Sequence, residues 1–360
     1  RSTRLPRAIR DVYKRQTLVW GSIPVVLLAG ALTADHIPGT DIRLTVPYAA
    51  EGPGPTFDTL GEVGGEPVVD IEGAETLDTG GKLNMTTVSV RTNMTLGQAL
   101  GRWVATDDTI VPVEQIMPPD LDEDQVREVN QQAFVASEAS ATVAAMHYLN
   151  RPTTVVVHDV MEGSASEGVL QPEDLITAVA DEKVETPQEV QDAVRAKTPG
   201  ETIEITVERN GEERTEAVEL GENPHEKGQP MLGILMTSEP AGGISVNYNL
   251  NDIGGPSAGM MFSLAVIDKL TPGALNGGKF VAGTGTINED GKVGPIGGIT
   301  HKIRAAEDDG AELFLAPAGN CDAVKRVDTE HMTVAKVDNL AEAVEAMEDF
   351  AAGADVPACE

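Results

Sequence analysis

A single serine precedes a strongly apolar stretch of this 360-residue chain. In GGPSAGMMFSLAVI, residues 254–267, Ser257 is followed by ten residues that are hydrophobic all round, which predicts a buried helix. Backbone N–H groups converge at the start of a helix and can hold the oxyanion of an attacked carbonyl. A serine at this position is also a common helix cap. The stretch therefore leaves two roles open for Ser257, nucleophile or cap.

The residues around Ser257 suit a reacting carbonyl. Gly254 and Gly255 allow a peptide backbone to approach closely, and Pro256 fixes the direction in which the chain enters the helix. We therefore expect backbone groups around Gly255, Pro256 and Ala258 to form the oxyanion site.

A lysine could supply the base that a nucleophilic serine needs. The segment GPIGGITHKIRAAEDDGAELFLAP, residues 294–317, predicts a helix that begins at Ile299. Helical spacing puts Lys302 on the apolar face of that helix, together with Ile299, Ile303 and Ala306. Desolvation there would lower the pKa of a lysine from about 10.4 toward neutrality and make it a general base. The alternative is that the long side chain reaches the surface.

A histidine-based triad and a nucleotide site are the competing chemistries. His301 is adjacent to Lys302 but is predicted to face elsewhere, and His225 lies in a loop with no evident acidic partner. The stretch GTINEDGKV, residues 285–293, resembles a phosphate-binding loop, but its spacing is wrong and it ends in valine. The sequence predicts no nucleotide, no cofactor and no metal.

The overall charge limits the partners of the protein. Twenty-six basic and 58 acidic residues give a formal net charge of −32, which argues against nucleic acid and against adhesion to anionic lipid. Hydrophobic residues make up 41% of the chain, as in a globular protein, and aromatic residues only 3%, so the core must be aliphatic. Cys321 and Cys359 are either two unrelated thiols or a disulfide that ties the C-terminal tail to the last lobe.

The N-terminal segment has its own pattern. Residues 17–34 carry no charge and reach the ~18-residue minimum for crossing a bilayer, so residues 17–36 are predicted to be a transmembrane anchor, with a cleaved signal peptide as the alternative. DVYKRQ, residues 11–16, resembles the translation of a sequencing adapter. We therefore set residues 1–16 aside as an artefact.

Periodicity and turn signals predict a chain that mixes helices and strands. An N-terminal region, residues 37–150, contains strands and a long helix; a β-rich module follows at residues 153–222, with a hairpin turn at Asn210–Gly211. An α/β pattern returns over residues 231–350 and leaves a short tail at 351–360. Its expected elements are strand 243–249, helix 257–270, strand 279–287, helix 299–309, strand 312–316 and helix 339–349.

Three motifs in this last part resemble the proteolytic domain of the Lon family of Ser-Lys peptidases. They are GGPSAG at 254–259, AGTGTI at 282–287 and IGGITHKIRAA at 296–306, in the family's order. The resemblance implies that Ser257 is the nucleophile, that Lys302 is its base and that Thr284 supports the lysine. ATP-dependent members have an acidic residue where Gly254 stands, and they carry an ATPase module. Unfolding of stable substrates is therefore not expected.

Other segments extend the resemblance. Residues 159–190 resemble PDZ domains of secreted proteases, and residues 46–61 resemble the juxtamembrane region of membrane-anchored, PDZ-containing Lon-like proteases of Gram-positive bacteria. MLGILMT, residues 231–237, is similar to a PDZ carboxylate loop, which implicates Leu232, Gly233 and Ile234 in peptide binding. Residues 80–150 resemble the first strand and helix of a Lon peptidase domain, so the PDZ domain would be inserted in it or precede it.

The expectation is thus an α+β fold with an N-terminal transmembrane helix, a PDZ domain and a Lon-type proteolytic domain. The implied activity is ATP-independent serine endopeptidase cleavage of flexible protein segments outside the cell membrane, with the PDZ domain recruiting peptide. The resemblance also implies a homo-oligomer such as a hexameric ring. The rival interpretation is an inactive membrane-tethered PDZ scaffold.

Overall fold

The computed structural model describes residues 7–359, except residues 38, 41, 119, 120, 225, 251 and 252. The described helices are α1 Arg7–Thr33, α2 Leu96–Ala105, α3 Glu123–Tyr148, α4 Pro187–Arg195, α5 Gly259–Leu270, α6 Ile299–Asp308, α7 Cys321–Val324 and α8 Leu340–Ala352. The described strands are β1 Tyr48–Asp58, β2 Glu62–Val63, β3 Glu66–Pro67, β4 Val69–Glu72, β5 Lys82–Arg91, β6 Thr109–Pro112, β7 Thr153–Val160, β8 Leu175–Val179, β9 Glu182–Lys183, β10 Thr202–Arg209, β11 Glu212–Glu219, β12 Gly221–Glu222, β13 Pro230–Met231, β14 Ile234–Pro240, β15 Ser245–Tyr248, β16 Phe280–Gly283, β17 Thr286–Ile287, β18 Val293–Gly294, β19 Leu313–Pro317 and β20 Thr333–Val337.

The chain forms two compact units. The first comprises residues 1–55 and 87–126, and the second comprises residues 56–86 and 127–360. In the first unit, β1 pairs with β6 in antiparallel register from Tyr48↔Pro112 to Glu51↔Thr109. Thr95 caps α2 and forms a capping box with Gln98, as its position before an apolar run predicts.

The N-terminal segment differs from the sequence-based expectation. Of the residues set aside as an artefact, 1–6 lie outside the described residues and the others begin α1. None of the helices in the described part of the chain combines the length and the hydropathy that a bilayer crossing requires. The structure thus gives no support to the transmembrane anchor predicted over residues 17–36.

The second unit contains a parallel sheet with the strand order β20-β19-β16-β5. Side chains of β19 alternate between its faces. Leu313 and Leu315 pack with α3, α5 and α8, whereas Phe314 and Ala316 pack with α6. The fold is mixed α/β. The α+β prediction was correct in mixing helices and strands, but these strands are parallel and alternate with helices.

α3 and α5 form the centre of the larger core. α3 is a single helix, and its Phe134 ring meets that of Phe262 on α5 edge to face, with centroids 5.6 Å apart. Ser263 donates to the Ala141 carbonyl at 3.0 Å, so the helices are also joined by a hydrogen bond. Every residue of α5 except Lys269 is buried, as the apolar run predicts.

A second sheet, with the order β11-β10-β8-β7-β14, has its own apolar core, which includes Val190 and Val194 of α4. The turn between β10 and β11 is at Asn210–Gly211, where both residues have positive φ, and this confirms the hairpin expected from the Asn-Gly pair. β14 pairs with β7 from Ile234↔Val160 to Pro240↔Thr153. Residues 234–240 therefore belong to this sheet, beyond the boundary at Met231 that the sequence suggests.

A buried ion pair makes this second sheet sensitive to one substitution. Asp174, 1% exposed, accepts two hydrogen bonds of 2.6 Å from the guanidinium of Arg209. Asp174→Ala leaves that guanidinium with only the Glu216 carboxylate, 3.9 Å away, and is expected to cost about 3–5 kcal/mol. Urea unfolding should show this loss. Glu212→Ala, which removes the exposed partner of Arg214, is the control and should cost less than about 1 kcal/mol. Equal effects would contradict the prediction.

Candidate active site

Ser257 lies in a short 3-10 helix, Pro256–Ala258, that leads directly into α5. The turn before it requires Gly255, whose φ of +89° is rarely adopted by residues with a side chain. Gly259 begins α5 in close contact with its surroundings, because a Cβ there would lie 2.6 Å from Ser137 Oγ. These two glycines of GGPSAG therefore serve the backbone conformation and the packing of the serine loop.

Two hydrogen bonds from α3 hold this loop. The Gly255 N–H donates to the Asn130 carbonyl at 2.8 Å, and Ser137 Oγ donates to the Pro256 carbonyl at 3.0 Å. Sequence reasoning missed both partners, which lie more than a hundred residues away. The signal available for Ser137 was its spacing from Phe134 and Ala141, which places it on the buried face of α3.

Lys302 lies in the first turn of α6 and is 2% exposed. It shares a buried face with Ile299, Ile303 and Ala306, which confirms the periodicity argument. Its Nζ is 2.8 Å from Ser257 Oγ and 2.8 Å from Thr284 Oγ1. The structure thus brings the three residues singled out from the sequence into one cluster.

Thr284 follows the last residue of β16 and is completely buried. Its hydroxyl donates to the Ser257 carbonyl at 3.0 Å, and the Gly285 N–H donates to the same carbonyl at 2.9 Å. The Met260 N–H in turn donates to the Gly285 carbonyl at 3.1 Å. The residues that follow β16 are therefore joined to the chain at Ser257 and again in the first turn of α5.

Burial determines the charge state of the cluster. Desolvation lowers the pKa of Lys302 to about 7, because a buried ammonium loses its hydration. Near neutral pH a large fraction of this amine is consequently unprotonated and has a lone pair within reach of the serine hydroxyl. Such an arrangement can withdraw a proton from Ser257.

The predicted oxyanion residues differ in whether they have a free backbone N–H to donate to an oxyanion. Pro256 has no N–H, and the N–H of Gly255 is already donated to Asn130. Neither can therefore donate to an oxyanion in this geometry, which corrects the expectation for these two residues. Ala258, at the junction with α5, keeps its place among the candidates.

The predicted peptide-binding residues lie at the start of β14, away from the Ser257 cluster in the sequence and in a different sheet. Leu232 is 4% exposed and packs in the core of the second sheet, and its carbonyl accepts from Ser166 Oγ at 2.8 Å. Gly233 has φ +75°, and Ile234 pairs with Val160. β14 is the edge strand of that sheet, and α4 contacts it.

The histidines and cysteines complete the set of candidates. His301, expected to face away from the interior, is 2% exposed, because α6 is covered by α7 as well as by β16 and β19. His225 lies outside the described residues. Cys321 and Cys359 form a disulfide, which decides between the two alternatives left by the sequence. Within the described ranges no group of three or more His, Cys, Asp or Glu side chains could hold a metal.

Two segments match protein-family models. Residues 125–220 match the PDZ domain, and residues 251–348 match the Lon protease (S16) C-terminal proteolytic domain. Ser257, Thr284 and Lys302 all lie in the second segment. A search of curated proteins found no match.

Several solved structures are similar to about a quarter of the chain. The PDZ domain of an SdrC-like protein from Listeria monocytogenes is 25% identical over 23% of this chain and 85% of its own length, with a TM-score of 0.21. The corresponding domain from Listeria innocua is 27% identical over 23% and 92%, with a TM-score of 0.22. A protein from Geobacillus thermodenitrificans is 26% identical over 23% and 94%, with a TM-score of 0.21.

Proposed function

For a chain that carries a PDZ domain and a Lon C-terminal proteolytic domain, we propose a serine endopeptidase that uses a Ser257–Lys302 dyad and needs no ATP. One observation carries the proposal: the Nζ of a buried lysine lies 2.8 Å from the hydroxyl of the serine that precedes the buried helix. The stretch nearest to a phosphate-binding loop, residues 285–293, has the wrong spacing for one and ends in valine.

The hydrogen bonds around Thr284 support the direction of proton transfer. The Thr284 hydroxyl donates its only proton to the Ser257 carbonyl, so its oxygen can only accept from Lys302. A neutral lysine that donates one N–H to Thr284 keeps a lone pair for the Ser257 hydroxyl. Thr284 therefore orients the base without competing for its lone pair.

The reaction then follows the course of acyl transfer. Lys302 takes the proton of Ser257 as the oxygen attacks the scissile carbonyl, and the ammonium protonates the leaving amine. The oxyanion is held by backbone amides at the start of α5, among which Ala258 is the candidate left by the geometry. Water activated by the same lysine hydrolyses the acyl-enzyme.

The substrates we propose are unfolded or locally flexible protein segments, which an endopeptidase can bind without an unfolding motor. A peptide could be recruited by adding a strand to the edge of β14, beside α4. Gly233, with its positive φ, would shape the loop that meets the peptide terminus. The disulfide supports a location outside the cytoplasm, since such bonds persist in oxidising compartments.

We further propose that the PDZ domain is inserted in the proteolytic domain. In support, β5 pairs with β16, so a segment before the matched residues 125–220 shares a sheet with one after them. α3 lies within that match, but it packs on α5 in the larger core and not in the core of the second sheet. Thr153 and Pro240 are cross-strand partners, about 5 Å apart at Cα in such a pair.

Replacing residues 154–239 by a few Gly and Ser residues is therefore expected to leave a soluble, folded peptidase, judged by circular dichroism. Insolubility with every linker length would contradict the insertion. The control is a deletion of residues 170–219, which breaks the core of the second sheet and should not give a folded protein.

The pH dependence of cleavage follows from the buried lysine. Only the neutral amine can act as the base, so kcat should fall as the pH drops through about 7, by about tenfold per pH unit. Burial also raises the pKa of Glu138 to about 7, so this group could imitate the effect. Glu138→Gln is therefore the control, and the fall in kcat below about pH 7 should persist in this variant. If the fall in kcat disappears in this variant, the titration belongs to Glu138.

The experiment that tests the activity is cleavage of casein by the purified chain, with and without ATP. We expect cleavage that is unchanged by ATP, and modification of Ser257 by a serine-directed phosphonate, identified by mass spectrometry. A folded protein that neither cleaves casein nor reacts at Ser257 would contradict the proposal.

A further inference from the structure

The position of Lys302 depends on the loop that precedes α6. Residues 295–298 connect β18 to this helix, and Gly298, with φ +67°, stands at its start without a side-chain cap. The N–H groups of His301 and Lys302 donate to the Gly298 carbonyl at 3.0 and 3.1 Å. Any shift of this loop therefore moves the first helical turn, which carries Lys302.

One side chain from another part of the fold holds the middle of this loop. Asn320 accepts a hydrogen bond from the Ile296 N–H at 3.0 Å and donates one to the Ile296 carbonyl at 2.8 Å. The carboxamide thus pairs with both polar groups of a single residue, as a neighbouring strand would. Next to it, a Cβ at Gly319 would lie 3.1 Å from Pro295 Cβ, so the Gly319 backbone packs closely against the Pro295 ring.

Asn320 is itself held from both sides. The chain reaches it directly from β19, whose five residues are all buried in the parallel sheet. The next residue, Cys321, forms the disulfide with Cys359. The carboxamide therefore connects the loop before α6 to a part of the fold that is fixed by packing and by a covalent bond.

We propose that Asn320 is a positioning residue for Lys302: it fixes the loop 295–298 so that the lysine amine meets the hydroxyls of Ser257 and Thr284. The inference rests on the proposed function and extends it to a residue that contacts neither the serine nor the lysine. Its action is indirect, through Ile296 and Gly298, since the carboxamide bonds only to the backbone of Ile296 in the contacts described.

The proposal has a consequence that a general loss of stability does not share. Burial is the cause of the low pKa of Lys302. A loosened loop would admit water to the amine and raise its pKa toward that of an exposed lysine. It would also misalign base and nucleophile, and a displacement of about 1 Å can lower kcat about a hundredfold.

The test uses the full-length chain with Asn320→Ala and a matched control, Asn276→Ala. Asn276, which is buried whereas Asn320 is half-buried, likewise joins backbone segments: it donates to the Lys82 carbonyl at 3.3 Å and accepts from the Gly278 N–H at 2.9 Å, before the start of β16 rather than at its Thr284 end. For each variant, kcat and KM are measured on casein. The pH dependence of kcat is measured as well, to locate its acid limb, the range in which kcat falls as the pH drops. The titration of Lys302 is followed independently by its 13Cε resonance, assigned by its absence in Lys302→Ala.

We expect Asn320→Ala to lower kcat by about tenfold to a hundredfold with KM within about threefold, and to move both the acid limb and the Lys302 titration to higher pH. Asn276→Ala should reduce the melting temperature without moving either titration. If Asn320→Ala does not fold, Asn320→Asp, which keeps the acceptor for the Ile296 N–H, should show a smaller shift in the same direction.

Two results would overturn the inference. One is a Lys302 titration in folded Asn320→Ala or Asn320→Asp at the wild-type pH, and the other is an equal shift in Asn276→Ala. These outcomes are distinct from failure of the proposed function, which would appear as wild-type protein that does not cleave casein. The Lys302 resonance decides the role of Asn320 in that case as well, because it needs no turnover.

Discussion

Ser257→Ala is expected to abolish casein cleavage while leaving the fold intact. Removal of the nucleophile from another serine protease costs about 10⁶ in kcat, and we expect a loss of at least about 10³ here. The loop does not depend on the lost hydroxyl, because its bonds to Asn130, Thr284 and Gly285 use backbone atoms of residues 255–257. The melting temperature should therefore stay close to that of the wild type.

A second serine, in the helix that follows Ser257, provides the control. Ser263 is completely buried, and its hydroxyl donates to backbone carbonyls of Ala141 and Gly259 at 3.0 and 3.1 Å. Ser263→Ala should lower stability by about 1 kcal/mol and retain cleavage. If Ser257→Ala cleaved as fast as this control, Ser257 would have to be regarded as a helix-capping residue only.

Lys302→Met is expected to inactivate the protein and, at the same time, to stabilise it. Methionine has nearly the same length and is apolar, so it can occupy the buried site but cannot accept the proton of Ser257. Loss of a general base costs about 10²- to 10⁴-fold in rate. The same substitution removes an amine whose charge is disfavoured by burial, since Lys302 is 2% exposed.

The sign of the stability change follows from proton binding. The folded protein holds the Lys302 proton only below about pH 7, whereas the unfolded chain holds it up to about pH 10.4. Between these values the unfolded state binds more protons, so the contribution of Lys302 to stability rises with pH. At neutral pH the penalty is on the order of 4 kcal/mol, from about 1.4 kcal/mol per pH unit.

Denaturant unfolding at several pH values would check this expectation. Lys302→Met should be more stable than the wild type at pH 7, and the difference should shrink as the pH approaches 10. The control is Lys279→Met, which loses an exposed ion pair with Glu312 and should change stability by less than about 1 kcal/mol. A Lys302→Met protein that is less stable at pH 7 would show that the lysine contributes more by its contacts than it costs by its burial.

Local patterns account for much of what could be predicted from the sequence. Helical spacing indicated the buried face of α6 and thereby the burial of Lys302, and the Asn-Gly pair indicated the β10–β11 hairpin. These features depend on residues that are close in the chain. The segmental match of residues 251–348 to the Lon proteolytic domain agrees with the motifs that singled out Ser257 and Lys302.

Features that depend on distant residues could not be predicted in this way. The strand expected over 279–287 is interrupted after Gly283, because Thr284 and Gly285 turn to bind the Ser257 carbonyl. The burial of His301 depends on α7, which packs against α6. Likewise, no local pattern reveals that the Gly255 N–H is taken up by Asn130 and is lost to the oxyanion.

The burial of α5 has a consequence for how the protein would lose activity. Because every residue of α5 except Lys269 is buried, its amide hydrogens should exchange with solvent only when the whole core opens. Ser257 therefore lies immediately before an element that we expect to be among the slowest to exchange in its domain. Partial opening elsewhere would leave the serine in place, so heat inactivation that precedes global unfolding would have to come from displacement of Lys302.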